Sequence, residues 1–310
     1  MSKTKTPKKN ASAEETAPNR SGQAPPVVSV KWLAGAVGTM VVGAAVCVWA
    51  ALCLAFWQGN WQLLYHPRSA VPRTPADVGV QFNAIGLATT EAGLSQLKGW
   101  WIPAERDARL TAIYLHGGDG NLSDTVDAVE HLHAAGLTVL AFDYRGYGQS
   151  QFVHPSEARW REDADWAIQY LIGTRHIAPG SIVLVGQGLG ADLALETGAT
   201  HPDLAGIVLD EPIAEATDTV FQDPRARLVP AHSLVRDRWD LAAPAAGLRI
   251  PSLWFEINSS PETKNQQGNP AAYQLVTSPK MIVWLPHSGN EQKDYADALS
   301  RWLDELPVRH

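Results

Sequence analysis

The stretch Gly186-Gln187-Gly188-Leu189-Gly190 has the spacing best suited to chemistry in this chain. A continuous apolar run, Ile182-Val183-Leu184-Val185, precedes it and Ala191-Asp192-Leu193-Ala194-Leu195 follows, so the pattern predicts strand, sharp turn, helix. In a nucleophile elbow, G-x-S-x-G, such a turn is strained and lifts a serine hydroxyl above a sheet. Here the middle residue is glycine, which has no hydroxyl to lift. Gly186, Gly188 and Ala191 also satisfy the dinucleotide fingerprint G-x-G-x-x-G/A, and Asp210 ends the next apolar run about where a ribose-binding acid would sit. Both readings share the strand, the glycine turn and the helix, so the surrounding chain must decide between them.

The elements that would position this turn alternate along the sequence. Residues 78–88, 94–102, 110–115, 137–142, 182–185, 207–209, 251–255 and 281–285 have the apolar character of strands. Residues 121–135, 156–172, 189–200 and 291–306 have helical spacing, and 211–249 is irregular. The alternation predicts an α/β fold with a mostly parallel central sheet and helices on both faces. There is no internal repeat.

A chain of 310 residues that is 45% hydrophobic holds one large α/β domain and an extra segment. Of its 25 Lys and Arg, six fall in residues 1–31 beside two of its 32 acidic residues, so the body is acidic and nucleic acid is not an expected partner. Residues 1–31 have no hydrophobic period and read as a disordered cytoplasmic tail. Residues 32–57 carry no formal charge and, as a helix, cover a bilayer core of roughly 30 Å. A cleaved signal peptide would have a shorter apolar region, about 7 to 15 residues, so a single-pass anchor is expected. The Lys and Arg before it place the N-terminus in the cytoplasm and residues 58–310 on the outer, periplasmic or extracellular, face. Trp57, Trp61 and Tyr65 then belong either to an interfacial aromatic belt or to the domain's packing. Gly35, Thr39, Gly43, Cys47, Ala51 and Ala55 recur every four residues, a stripe through which the helix could form a homodimer. Cys47 and Cys53 both lie in the apolar stretch and form no disulfide framework.

Leu115-His116-Gly117-Gly118 follows one strand and Asp143-Tyr144-Arg145-Gly146-Tyr147-Gly148-Gln149-Ser150 the next, with Pro155-Ser156-Glu157 and Asp163 beyond. In this order, from about Trp61 to Trp302, the motifs resemble the α/β-hydrolase superfamily. The closer resemblance is to its membrane-anchored serine hydrolases, the serine aminopeptidase and lipase-like branch, with a small cap at about 211–249. A dinucleotide domain places its glycine turn after its first strand, whereas several strands come earlier here.

The resemblance implies a nucleophile at Gly188, an acid at Ser260 in Glu256-Ile257-Asn258-Ser259-Ser260, and a base at Asn290 in Pro286-His287-Ser288-Gly289-Asn290-Glu291-Gln292. A serine needs an imidazole to accept its proton, and the imidazole needs a carboxylate to hold its tautomer. None of these three positions supplies its group, so the triad reads as degenerate. The resemblance also implies an oxyanion hole from the N–H groups of Gly118 and Leu189, which would outlast the triad. His287 is a possible substitute base, Glu256 a substitute acid, and Asp210-Glu211 ends a strand at the same sheet edge. His116 reads as structural, Ser123 and Ser150 as turn or cap residues, and Trp239 as core or the wall of an apolar pocket. No zinc spacing such as H-E-x-x-H occurs, so neither a metal nor a cofactor is expected. Expected partners are the lipid bilayer and a small apolar ligand or a protein. The function implied is binding by a pseudohydrolase, the alternative being hydrolysis of ester, thioester or amide bonds in lipid-like substrates by non-standard residues.

Overall fold

The computed structural model describes residues 28–106, 108–257, 270–286 and 291–307. The chain divides into two compact units, residues 1–50 and 51–310. Helix α1, Val30–Gly59, runs from the first into the second and is thirty residues long. At about 1.5 Å rise per residue it is long and apolar enough to cross a membrane. It exceeds the expected span by two residues at each end. In the second unit its last turns are part of the fold: Phe56 is buried among Val220, Ala226, Ala231 and Val235.

After α1 the chain forms a short strand β1 (His66–Pro67), then β2 (Asn83–Thr89), β3 (Ser95–Ile102), β4 (Thr111–Leu115) and β5 (Asp119–Gly120). Next come α2 (Val126–Ala134), β6 (Thr138–Asp143), α3 (Glu157–Gly173), β7 (Ile182–Gln187), α4 (Leu189–Thr200) and β8 (Gly206–Asp210). The cap contributes short helices α5 (Asp218–Gln222), α6 (Ala231–Leu234) and α7 (Ala242–Gly247), and β9 (Ser252–Ile257), α8 (Ala271–Leu275), β10 (Lys280–Leu285) and α9 (Glu291–Glu305) complete the chain.

Eight strands form one sheet in the order β10-β9-β8-β7-β4-β6-β3-β2. β2 and β3 are antiparallel, β3 is antiparallel to β6, and every other neighbouring pair is parallel. The expected mostly parallel sheet is therefore present. Its central strands are buried on both faces, which is why β4, β6 and β7 read as continuous apolar runs rather than as alternation. Along β7, Ile182 and Leu184 pack into one core cluster and Val183 and Val185 into the other. On the first face α3 contributes Trp160, Ala164, Ala167 and Leu171, a helical stripe. On the second face α2 contributes Val126, Val129 and Leu132, and α9 contributes Ala298, Leu299, Trp302 and Leu303.

The strand expected at 78–88 is shorter, because Thr74 and Asp77 close a capping box around a 3-10 turn, Pro75–Val78, and Gly79 leaves that turn at φ 80°. β1 pairs in parallel with β5, His66 opposite Asp119, a two-stranded sheet too short to carry a sequence signal. Tyr65 is buried rather than interfacial: its Oη donates to Asp237 Oδ2 at 2.6 Å and accepts from Trp239 Nε1 at 3.1 Å. Trp239 is likewise core, edge-on to Trp160 with ring centroids 5.6 Å apart.

Candidate functional site

The turn forms where β7 ends. Gly188 links β7 to α4 with φ 55° and ψ −123°, a conformation that residues with side chains adopt only under strain. The flanking glycines are fixed by close packing: a Cβ on Gly186 would collide with the backbone of Gly190, and one on Gly190 with the carbonyls of Leu115 and His116. Gly188 is not crowded. Among the described residues, a Cβ there would meet nothing nearer than Ile213 Cδ1 at 3.9 Å. The turn therefore keeps the shape of a nucleophile elbow and room for a side chain, but carries none.

Asp210 meets this turn through its backbone, its carbonyl accepting the Gly188 N–H at 2.8 Å. From the helix side, buried Asp192 accepts the Ile213 N–H at 2.8 Å and so holds the residue that overlies Gly188. Asp192 Oδ2 has no hydrogen-bond partner among the described residues, and burial holds the carboxyl well above the usual range.

Gly118 lies beside the elbow, the Leu189 side chain approaching within 3.5 Å of where a Gly118 Cβ would stand. The Leu64 carbonyl would be 2.6 Å from the same point, so no larger residue fits. The Gly118 carbonyl is held from two sides, by His66 N–H at 2.8 Å and by Tyr147 Oη at 2.8 Å. Tyr144 Oη donates to the His116 carbonyl at 3.1 Å. Among the described residues, neither the Gly118 nor the Leu189 N–H donates to an acceptor. Among the described residues, two backbone donors, one in the braced segment and one at the start of α4, are thus without an acceptor, and an oxyanion or carbonyl oxygen takes donors of this kind.

That bracing comes from the Asp143–Ser150 segment. Asp143 Oδ1 accepts the Leu122 N–H at 2.9 Å, and Ser150 Oγ donates to the Asp143 carbonyl at 2.6 Å. Gly148 is at φ 51°, with the Asp143 carboxylate where its Cβ would be. Arg145 pairs with buried Asp163 at 2.6 Å and with Glu162 at 2.6 Å, which ties the segment to α3. Ser123 donates to Asn121 Oδ1 at 2.7 Å, a turn role of the kind expected of it and of Ser150, and Ser156 caps α3. The sequence marks this segment as a motif but not as a brace. The available signal was the pair of tyrosines among glycines, hydroxyls that must find acceptors once buried.

His116 is almost wholly buried, its ring 4.4 Å from that of Tyr144 between centroids. Burial pushes the imidazole down to about 4, so it is neutral at pH 7. Its Nδ1 is 2.8 Å from the Gly117 carbonyl and its Nε2 is 3.6 Å from Asp143 Oδ1, beyond hydrogen-bond reach. Burial raises Asp143 to about 7. His116 is a packing ring, not a proton carrier aimed at the elbow.

Two other carboxylates stand at the same edge of the sheet. Glu256 lies near the end of β9, where burial and then the charge of Glu211 raise it to about 7. Glu211 follows β8 at φ 51°, unusual for a side-chain-bearing residue, and its N–H donates to the Phe255 carbonyl at 2.9 Å. A cavity of about 320 Å³ opens on the α2 and α9 side of this edge, lined by Tyr114, Gln187, Asp210 and Tyr295 among others. In it Tyr114 Oη donates to Gln187 Oε1 at 3.2 Å. Ser260, His287 and Asn290 lie outside the described residues. No cluster of three or more potential metal ligands occurs among the described residues.

Residues 106–283, more than half of the chain, match the family described as serine aminopeptidase, S33. The chain is 28% identical over 279 residues to the uncharacterized protein Rv2307c of Mycobacterium tuberculosis, covering 86% of this chain and 95% of that one. It is 26% identical over 260 residues to the uncharacterized protein YfhR of Salmonella typhimurium, covering 77% and 86%. Among solved structures, the Pyrococcus furiosus esterase Pf2001 superposes with a TM-score of 0.58 at 19% identity, covering 78% of this chain and 98% of the esterase. An alpha-beta hydrolase from Vibrio vulnificus superposes with a TM-score of 0.53 at 20% identity, covering 74% and 81%. The strand order, the glycine turn after β7 and these matches lead to one conclusion: the chain belongs to the serine aminopeptidase S33 family and has the α/β-hydrolase fold.

Proposed function

We propose that this protein is a membrane-anchored α/β-hydrolase-fold protein that has lost its catalytic nucleophile and acts by binding a ligand or a protein partner on the outer face of the membrane. One observation carries the reading: Gly188 holds the elbow conformation, φ 55° and ψ −123°, with room for a Cβ among the described residues and no hydroxyl. Ser260 and Asn290, which stand where the resemblance puts an acid and a base, agree with it. The free N–H groups of Gly118 and Leu189 support retained recognition of a carbonyl or anion. Burial of Phe56 in the cap supports an anchor over a cleaved leader, because removing α1 would take a core residue with it.

A second reading, hydrolysis by non-standard residues, is favoured by Glu256 at about 7 beside Glu211, a carboxyl tuned for proton transfer near neutral pH. Hydrolysis of p-nitrophenyl esters of varied chain length separates the two. The native full-length chain is expected to be silent, and the triple variant Gly188→Ser, Ser260→Asp, Asn290→His to gain turnover. Native turnover well above blank that disappears in Glu256→Gln or His287→Ala would establish the second reading instead.

A further inference from the structure

A cavity of about 1020 Å³ in the second unit does not include Gly188 in its lining. It opens where α1 ends, between Trp57 and Trp61 on one side and Arg145, Arg159, Arg161 and Arg236 on the other. The carboxylates in its wall are already engaged. Glu157 takes the Arg161 side chain and the Arg238 N–H, Glu162 takes Arg145, and Asp237 takes Tyr65 Oη. Arg145 and Arg161 are neutralised by these and further acids.

Arg159 and Arg236 differ. Arg159 Nη1 donates to the His154 carbonyl at 2.9 Å, and Arg236 lies 5.4 Å above the Trp57 ring. Among the described residues, neither has a carboxylate partner. Two uncompensated guanidiniums thus share one cavity, whose aromatic rim includes Trp61 stacked on His154 with ring centroids 4.7 Å apart. Guanidinium forks match phosphate oxygens, and tryptophans beside the end of an apolar helix lie at headgroup depth. Phe152, on the loop leading to His154, is 88% exposed, as suits an aromatic that enters an interface rather than water.

From these features we infer that the cavity binds the phosphate of an anionic lipid headgroup through Arg159 and Arg236. The inference rests on the anchor part of the proposed function but not on the loss of the nucleophile. The test is calorimetric titration of the full-length chain in neutral micelles with short-chain phosphatidylglycerol, short-chain phosphatidylcholine and inorganic phosphate. Phosphatidylglycerol is expected to bind saturably and at least about tenfold more tightly than the other two. Arg159→Gln and Arg236→Gln should each weaken it by on the order of tenfold, while Arg225→Gln, whose partner Asp223 lies outside the cavity, leaves it unchanged. Equal binding of the two lipids, or arginine variants that bind like the native chain, would overturn the site. Inorganic phosphate bound as tightly as phosphatidylglycerol would overturn the lipid as its source. Ester turnover by the native chain sinks the lost-nucleophile reading alone, and a mature chain whose mass lacks α1 sinks the anchor.

Discussion

Gly188 tolerates a side chain in space but not in backbone conformation, and the two effects are separable. Gly188→Ala is expected to cost about 1–3 kcal/mol, the strain of holding a side-chain-bearing residue at φ 55°. Gly190→Ala should cost clearly more, because its Cβ would strike backbone carbonyls that cannot turn away. Thermal unfolding of the two variants checks this ordering, and equal losses would refute it. Glu256 makes a pH prediction. Its folded value of about 7 lies above the ordinary carboxyl value of 4.5, so the native state holds a proton that the unfolded chain releases. Stability from this group is present below about pH 4.5 and lost as pH rises through 7. Glu256→Gln should remove part of that decline, about 1 kcal/mol once solvent screening of a half-buried group is allowed for, measured as urea midpoints at pH 5 and pH 8. Gly188 was legible in the sequence because a strand and a helix bracket it and the flanking glycines fix the register. The strained φ of Glu211 was not, since nothing in a local pattern shows which strand end must turn sharply.

At the scale of elements, α4 begins and ends where its pattern places it, whereas the chain from Trp61 to Arg68 was invisible as structure. That stretch contributes Leu64 and His66 against Gly118 and sends Tyr65 into the core, contacts that depend on residues more than fifty positions away. Sequence periodicity reports faces of single elements, not which distant loop a short strand will cover. Tyr65→Phe should destabilise the fold by about 1.5–3 kcal/mol, because the half-buried Asp237 carboxylate loses its donor. Tyr147→Phe should instead loosen the Gly118 segment with a smaller global cost, about 1 kcal/mol, visible as faster amide exchange at His66, whose N–H donates to the Gly118 carbonyl. A change in global stability with no local change in exchange would contradict the bracing role.

Across the whole molecule, the two-faced sheet was readable because each central strand is a run of apolar residues and each covering helix a stripe. The docking of α1 on the cap was not, since an uncharged span looks the same whether its end is free or buried. Phe56 decides the matter in the fold, and Phe56→Ala is expected to cost about 3 kcal/mol and to expose residues 217–235 to protease. Unchanged digestion would mean that the cap stands without the helix. A soluble chain beginning at residue 60 should show the same weakened cap, so ligand measurements belong on the full-length protein.

In the proposed anchored state Phe56 would also couple the cap to the mechanics of the bilayer. As an anchor, a helix of this length would answer a change in hydrocarbon thickness by tilting or by drawing its ends toward the lipid, at fractions of a kcal/mol per ångström. Because the last turns of the helix are wedged under the cap, such a displacement has to pull on Val220, Ala226 and Val235. The proposed recognition face would then differ between thin and thick membranes without any change in its own residues.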